Sequence, residues 1–286
     1  MTQNLIVQSP ALSPEHVEML AALAHAQGVH RMTACAARLI DVSADDPVVK
    51  EVAEYAMAQQ IDTAWVPAGS LLSSCKLLAM DMDSTLINIE CIDELADLAG
   101  RKAAVAEITE AAMRGEITDF ADSLRRRVKL LAGLPAEALE RVYTERLRLN
   151  PGAETLVSTA RAAGLKVLLV SGGFTFFTAR LAERLNLDAA YANELVIDAG
   201  GRLTGEVEGS ILDAAAKQAY VESLAAELGA GRDQIIAIGD GANDLKMLGV
   251  AGLSVAYRAK PVVRAQTRYA LNVSGLDAVL DRKSVV

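Results

Sequence analysis

Histidine is nearly missing from this chain of 286 residues: there are three, and His16, His25 and His30 all fall near the N-terminus. That leaves little room for a histidine-based catalytic site anywhere else. Cysteine is as sparse. Cys35, Cys75 and Cys91 are scattered, odd in number and without a CxxC pair, so they read as reduced thiols of a cytoplasmic protein. Positive charge is short too, and a net charge of −9 disfavours a general affinity for nucleic acid or an anionic membrane. No apolar run approaches the ~20 residues of a membrane span, and MTQNLIVQSP lacks the basic-then-apolar pattern of a signal peptide. No GxxxxGK[ST] stretch exists, which disfavours P-loop kinase chemistry. The expected partner is therefore a small molecule, with no nucleic acid and no membrane. A homodimer is left open.

What is present is a globular composition: 52% hydrophobic and 23% charged residues, rich in alanine. The length suits one large α/β domain and a smaller one. Residues 1–72 read as the smaller unit, in a βαβαβ order: NLIVQS, a capped helix from SPEHVEML to Gly28, ACAARLIDV, the helical DDPVVKEVAEYAMAQQ, and TAWVP. PAGSLLSSCK, at 67–76, has linker-like composition. Beyond it, three short apolar runs share one design. KLLAM (76–80) runs into Asp81, LKVLLV (165–170) into Ser171, and QIIAI (234–238) into Gly239 and Asp240. Continuous apolar runs that stop in polar turns suit strands buried on both faces of a parallel sheet. Helical patterns at 154–164 and 213–229 precede the second and third runs. The predicted body, residues 73–286, is a Rossmann-like doubly wound α/β fold, with its ligand at the carboxyl ends of the strands. Residues 90–150 are too long for a simple crossover and read as a helical cap, while 194–209, around Gly200 and Gly201, read as an inserted β-hairpin.

The first polar turn poses a physical problem. Asp81 and Asp83 stand two residues apart at the end of a buried strand, and close carboxylates repel and resist desolvation. A bound cation would offset that cost. Asp81-Met82-Asp83-Ser84-Thr85, Ser171-Gly172-Gly173, Lys217 and Gly239-Asp240-Gly241-Ala242-Asn243-Asp244 follow in that order. Taken singly, each has a bland reading as a solvated turn, a surface lysine or a calcium-loop-like run. In order, three of them directly after buried strands, they make coincidence a poor explanation. This set resembles the haloacid dehalogenase superfamily of phosphohydrolases, over residues 76 to about 280.

The chemistry follows from the residue types. Asp81 is the candidate nucleophile, attacking phosphorus to form an aspartyl-phosphate. Asp83 would protonate the leaving alkoxide and later deprotonate water. Lys217 would supply positive charge beside Asp81 and the phosphoryl group. Ser171 and the Gly172 turn would donate hydrogen bonds to phosphate oxygens. Asp240 adds a carboxylate for a hard cation such as Mg²⁺. The resemblance implies that Asp81, the backbone carbonyl of Asp83 and Asp240 ligate Mg²⁺. Asp244 would hold metal waters or Lys217, and Asn243 would touch substrate.

The cap bears on the substrate. In TDFADSLRRRVKLLAG (118–133), Phe120, Leu124, Val128 and Leu131 form an apolar stripe. At 100° per residue, Arg127 lies about 20° from Phe120, whereas Arg125 and Arg126 point away. An inward arginine needs an anion, and its fork suits a carboxylate. The resemblance independently assigns substrate-carboxylate binding to Arg127 and ammonium binding to Glu90, which otherwise reads as a favourable acid near a helix N-terminus. Phe120 and Met113 suit either an apolar pocket wall or core packing. The resemblance implies hydrolysis of O-phospho-L-serine, the last step of serine biosynthesis. Alternatives are a phosphatase or phosphotransferase acting on another small phosphorylated amino acid or alcohol, such as phosphohomoserine, and a phospho-accepting receiver-like module. Receivers usually lack an acid two residues after the nucleophile and have no such cap. The small N-terminal unit is loosely similar to ACT-like regulatory modules, and a packing or dimerisation role fits it equally well.

Overall fold

The computed structural model describes residues 3–69, 71–114 and 116–282, with the Met113 side chain outside that description. Two sheets organise the chain. The first is built from β1 (Gln3–Gln8), β2 (Gly28–Thr33), β3 (Ala36–Val42) and β4 (Asp62–Pro67), with α1 (Pro14–Leu23) and α2 (Asp46–Ala58). Its order is β2-β3-β1-β4, antiparallel throughout. The element order is thus βαββαβ, a split βαβ arrangement, and the βαβαβ reading missed β2. The reason is physical: β2 is an edge strand whose Val29, His30 and Arg31 are all exposed, so it carries no period-2 apolar signal. Pro14 starts α1 behind a Ser13 cap, and the helix stops at Leu23, short of Gly28.

The alternation of β1 explains how this unit is seated. Leu5 and Val7 pack with Val17, Leu20, Val48 and Val52 of the two helices. Ile6, on the opposite face with Ala64 and Val66 of β4, joins the core of the larger body. Asp62 fastens the seam, its carboxylate accepting the N–H groups of Asn272, Val273 and Ser274 at 2.7, 3.0 and 2.7 Å. Leu72 and Cys75 are buried in the core of the body, so the 67–76 stretch is anchored at these two residues despite its linker-like composition.

The second sheet contains β5 (Leu77–Met80), β6 (Lys166–Phe174), β7 (Ala189–Ile197), β8 (Leu203–Glu208), β9 (Ile235–Gly239), β10 (Leu253–Tyr257) and β11 (Tyr269–Leu271). The order is β11-β10-β9-β5-β6-β7-β8, parallel except for β8. The three apolar runs are its centre: every residue of β5 and β9 is buried. The second run does not stop at Ser171 in a turn, because β6 continues through Gly172 and Gly173 to Phe174, with its pairing to β7 interrupted between Val170 and Phe174. Residues 194–208 are antiparallel strands, but their first arm begins at Ala189 and pairs with β6. The hairpin is the sheet's edge and not an appendage. Chain tracing reverses at β5, which lies between β6 and β9. That reversal is where open α/β sheets bind ligands. Met80 is level with Leu169 on one side and Ile238 on the other, so Asp81, Ser171 and Asp240 emerge at one rim.

Around the sheet run α3 (Cys91–Leu98), α4 (Lys102–Met113), α5 (Phe120–Lys129), α6 (Glu137–Arg141), α7 (Ala153–Ala162), α8 (Thr175–Leu185), α9 (Ala214–Glu227), α10 (Leu245–Val250), α11 (Pro261–Arg264) and α12 (Ala278–Asp281). Helices α3 to α6 lie between β5 and β6 in sequence and cover the rim. Their entry and exit are tied together: Ile87 bridges Leu149, and the N–H of Asn88 donates to the carbonyl of Arg148 at 3.0 Å. No helix among the described residues is long and apolar enough to cross a membrane.

Candidate active site

The floor of the site forms where β5 ends. Asp81 is 4% exposed, and its Oδ1 accepts from Lys217 Nζ at 2.5 Å. Lys217, on the first turns of α9, is 1% exposed and also donates to Asp244 Oδ1 at 2.7 Å. Burial pulls the Lys217 pKa down, but Asp244 and Asp81 together outweigh it and raise it above the ordinary lysine value. Asp244 Oδ2 accepts the N–H groups of Asp240 and Gly241 at 3.2 and 3.0 Å, which locks the turn after β9. Glycine is required before that turn, because a Cβ on Gly239 would lie 2.6 Å from Asp244.

The turn after Asp81 is tightly specified. Ser84 has φ +56°, an uncommon conformation for a residue with a side chain. Its hydroxyl donates to Glu90 Oε1 at 2.6 Å, and Thr85 Oγ1 donates to Asp240 Oδ1 at 2.9 Å. Asp83 turns its carboxylate to the backbone N–H of Cys91 at 3.2 Å and towards Gly173, where a Cβ would come within 2.7 Å of Oδ2. Burial, then the nearby Glu90, push the Asp83 pKa up to about 7. Burial and Asp244 do the same to Asp240, also to about 7, and burial raises Asp81.

Carboxylate oxygens of Asp81, Asp240 and Asp244 lie within 4.8 Å of one another. An all-oxygen set of crowded, partly desolvated carboxylates fits a hard cation. Since both Asp244 oxygens already serve Lys217 and backbone N–H groups, Asp81 and Asp240 are the members left to face it. The carboxylate of Asp83 is not in this group, so any ligation by Asp83 falls to its backbone.

The roof is the cap. Asp81, Asp83, Ser171, Gly172, Asp240 and Asn243 share a cavity of about 170 Å³ with Glu90, Phe120, Leu124 and Arg127. Asp119 caps α5, accepting the Ala121 N–H at 3.0 Å. The helix then buries Leu124 and Val128, brings Arg127 to the cavity, and leaves Arg125 and Arg126 exposed. Phe120 closes over the glycines at the end of β6, where a Cβ on Gly172 would meet its Cζ at 3.0 Å. The single hydrogen bond that the Arg127 side chain makes among the described residues is a long one, 3.4 Å, to the carbonyl of Ser123. Met113, the other candidate for the wall, has its side chain outside the described residues.

Every site residue singled out from the sequence thus falls within this one region, Met113 apart. Two buried asparagines were missed. Asn150 Nδ2 donates to the carbonyls of Thr85 and Ile87 at 2.8 and 2.9 Å, holding the Asp81 turn where the chain leaves the cap. Asn193 ties Gly172, at the irregular end of β6, to the start of α9. Their partners are backbone atoms distant in sequence, which no motif displays. A buried asparagine beside a strand or cap boundary is the only signal.

Residues 78–249 match the family model of haloacid dehalogenase-like hydrolases. The chain belongs to that family. Within the hydrolase, residues 5–48 separately match a domain of unknown function. The hydrolase is 56% identical over 213 residues to a phosphoserine phosphatase of Polaromonas sp., covering 73% of this chain and 90% of that protein. The unliganded structure of a probable phosphoserine phosphatase from Vibrio cholerae superposes with a TM-score of 0.83 at 38% identity, over 98% of this chain and 86% of that one. A substrate-bound phosphoserine phosphatase gives 0.68 at 38% identity, over 73% and 99%.

Proposed function

We propose that this hydrolase converts O-phospho-L-serine to L-serine and phosphate, closing serine biosynthesis in the cytoplasm. The observation that carries the substrate is the pairing of opposite charges on the roof. Arg127, with no carboxylate bonded to it among the described residues, and Glu90 line the same cavity above Asp81. A phosphorylated amino acid offers a carboxylate to the first, an ammonium to the second and a phosphoryl group to the floor. The similarity to phosphoserine phosphatases supports the same reading.

Asp81 attacks phosphorus while the bond from phosphorus to the serine oxygen breaks, giving an aspartyl-phosphate. Asp83, with its pKa near 7, holds the proton that the leaving alkoxide takes up. It then accepts a proton from water, whose attack on phosphorus releases phosphate and restores Asp81. Lys217 balances charge beside Asp81, and Ser171 and the backbone at Gly172 face the phosphoryl oxygens, with Asn243 beside the substrate. Asp81, Asp240 and the backbone carbonyl of Asp83 would hold Mg²⁺, which would neutralise the phosphoryl oxygens. Asp244 fixes Lys217 and the Asp240 turn. In this reading residues 1–72 form a separate unit without catalytic groups, seated on the body formed by 73–286.

The test is phosphate release from a panel of phosphomonoesters by the purified protein, with and without Mg²⁺, adding alcohol acceptors to detect transfer. Phosphoserine should lead the panel, in a Mg²⁺-dependent hydrolysis. Cleavage of other esters with phosphoserine ignored would overturn the substrate, and loss to an acceptor alcohol would make the enzyme a phosphotransferase.

A further inference from the structure

Asn193 lies on β7, is 2% exposed, and has both ends of its side-chain amide committed to backbone. Its Nδ2 donates to the carbonyl of Gly172 at 2.8 Å, and its Oδ1 accepts the N–H of Leu212 at 2.7 Å. A carbonyl can only accept and an N–H can only donate, so these partners fix which way the amide faces.

The Gly172 carbonyl is one end of a trans peptide unit whose other end is the Gly173 N–H. That N–H donates to Ser171 Oγ at 2.9 Å. Asn193 therefore acts on Ser171 through a single peptide plane, and hydrogen bonds in such a chain reinforce one another. A hydroxyl has one proton to give. With Gly173 occupying a lone pair of Ser171 Oγ, and no acceptor for its proton among the described residues, the proton is directed to the cavity that Ser171 lines. The other end of the amide acts on α9. Leu212 immediately precedes Asp213, whose carboxylate caps that helix by accepting the Ala215 and Ala216 N–H groups at 2.9 Å each. Lys217 follows directly.

We propose that Asn193 is a positioning residue of the phosphoryl site. It sets the direction in which Ser171 donates and the separation between the irregular end of β6 and the helix presenting Lys217. Asn193 is not among the residues lining the cavity, so it acts only through these groups. The proposal rests on the reading of this floor as a phosphoryl site, and its test is made independent of the amino-acid substrate by following an aryl phosphate in parallel.

The experiment is a double-mutant cycle. Asn193→Asp keeps the acceptor for Leu212 but removes the donor to Gly172, and it is compared in wild-type and Ser171→Ala backgrounds at saturating Mg²⁺. In the wild-type background kcat should fall about 10- to 100-fold on both substrates. KM for phosphoserine should stay within about threefold, because Arg127 and Glu90 are untouched. In the Ser171→Ala background the same change should cost less than about threefold more, since coupled residues are not additive. Equal losses in both backgrounds would overturn the proposal and make Asn193 a general structural residue. So would a folded variant with wild-type kcat. Asn193→Ser is read in the same cycle if thermal melting shows the aspartate variant unfolded. If wild type cleaves the aryl phosphate and ignores phosphoserine, the substrate reading fails while the cycle is still decided on the aryl ester.

Discussion

The floor and the roof of the cavity are built on opposite principles. On the floor, Asp81, Lys217 and Asp244 form a buried chain of charge-assisted hydrogen bonds that ends on the backbone of Asp240 and Gly241. The groups that would do chemistry are positioned before any ligand arrives, as electrostatic preorganisation requires. On the roof, Arg127 holds one long intrahelical bond and Glu90 is tied to Ser84. A cation and an anion there await partners that a ligand can supply. Under the proposed function the contrast would separate catalysis from selection: changes below should affect every phosphate ester, and changes above should affect only the amino-acid substrate.

The harshest way to break this comparison is from below. Asp81→Asn keeps the shape but removes the nucleophile, and hydrolysis of phosphoserine and of an aryl phosphate should both fall by roughly 10⁴-fold or more. Steady-state kinetics on the two esters checks this, and a loss confined to phosphoserine would contradict the division.

A metal titration sharpens the account of the floor. Asp240, its pKa raised by burial and Asp244 to about 7, still holds a proton in the folded chain where the unfolded chain has lost it. The metal-free protein should therefore lose stability as pH climbs from the ordinary carboxylate range to about 7, and level off above it. A cation takes the place of that proton. Added Mg²⁺ should raise the thermal midpoint clearly at about pH 8 and much less at about pH 5.5, by the linkage of ligand to folding. Differential scanning calorimetry at the two pH values decides it, and an equal shift at both would count against these carboxylates as the site.

The gentlest change serves as the control for the roof. Arg126 lies beside Arg127 in sequence but is exposed and paired with Asp122 at 2.8 Å. Arg126→Ala should cost less than about 1 kcal/mol in denaturant unfolding and leave the preference between esters unchanged within about twofold.

Asp81, Ser171 and Asp240 were legible in the sequence because they stand directly after buried apolar runs, which deliver them to one rim, whereas Lys217, on α9, and Asp244 were legible only as members of the ordered set. Arg127 was legible through helical period, which returns it to the face of Phe120 seven residues on, and independently through the family resemblance. What stayed hidden has physical reasons. The edge strand β2 has no buried face to write a pattern. The pairing of β7 with β6 is a matter of hydrogen bonds across the sheet that no sequence pattern displays, so 194–209 reads as an insertion. LSVAY, the fully buried β10, has the same apolar character as the other three runs but ends in no catalytic group. Asn150 and Asn193 serve backbone atoms that only the folded chain brings near.

The most direct test of the division is the ratio of kcat/KM for phosphoserine to that for an aryl phosphate, in wild type and Arg127→Ala. The account predicts that the ratio falls by about 10²-fold or more, the worth of a lost bidentate charge-assisted contact, with aryl phosphate hydrolysis within about threefold of wild type. A variant that loses both activities in parallel, or keeps the ratio, would contradict it.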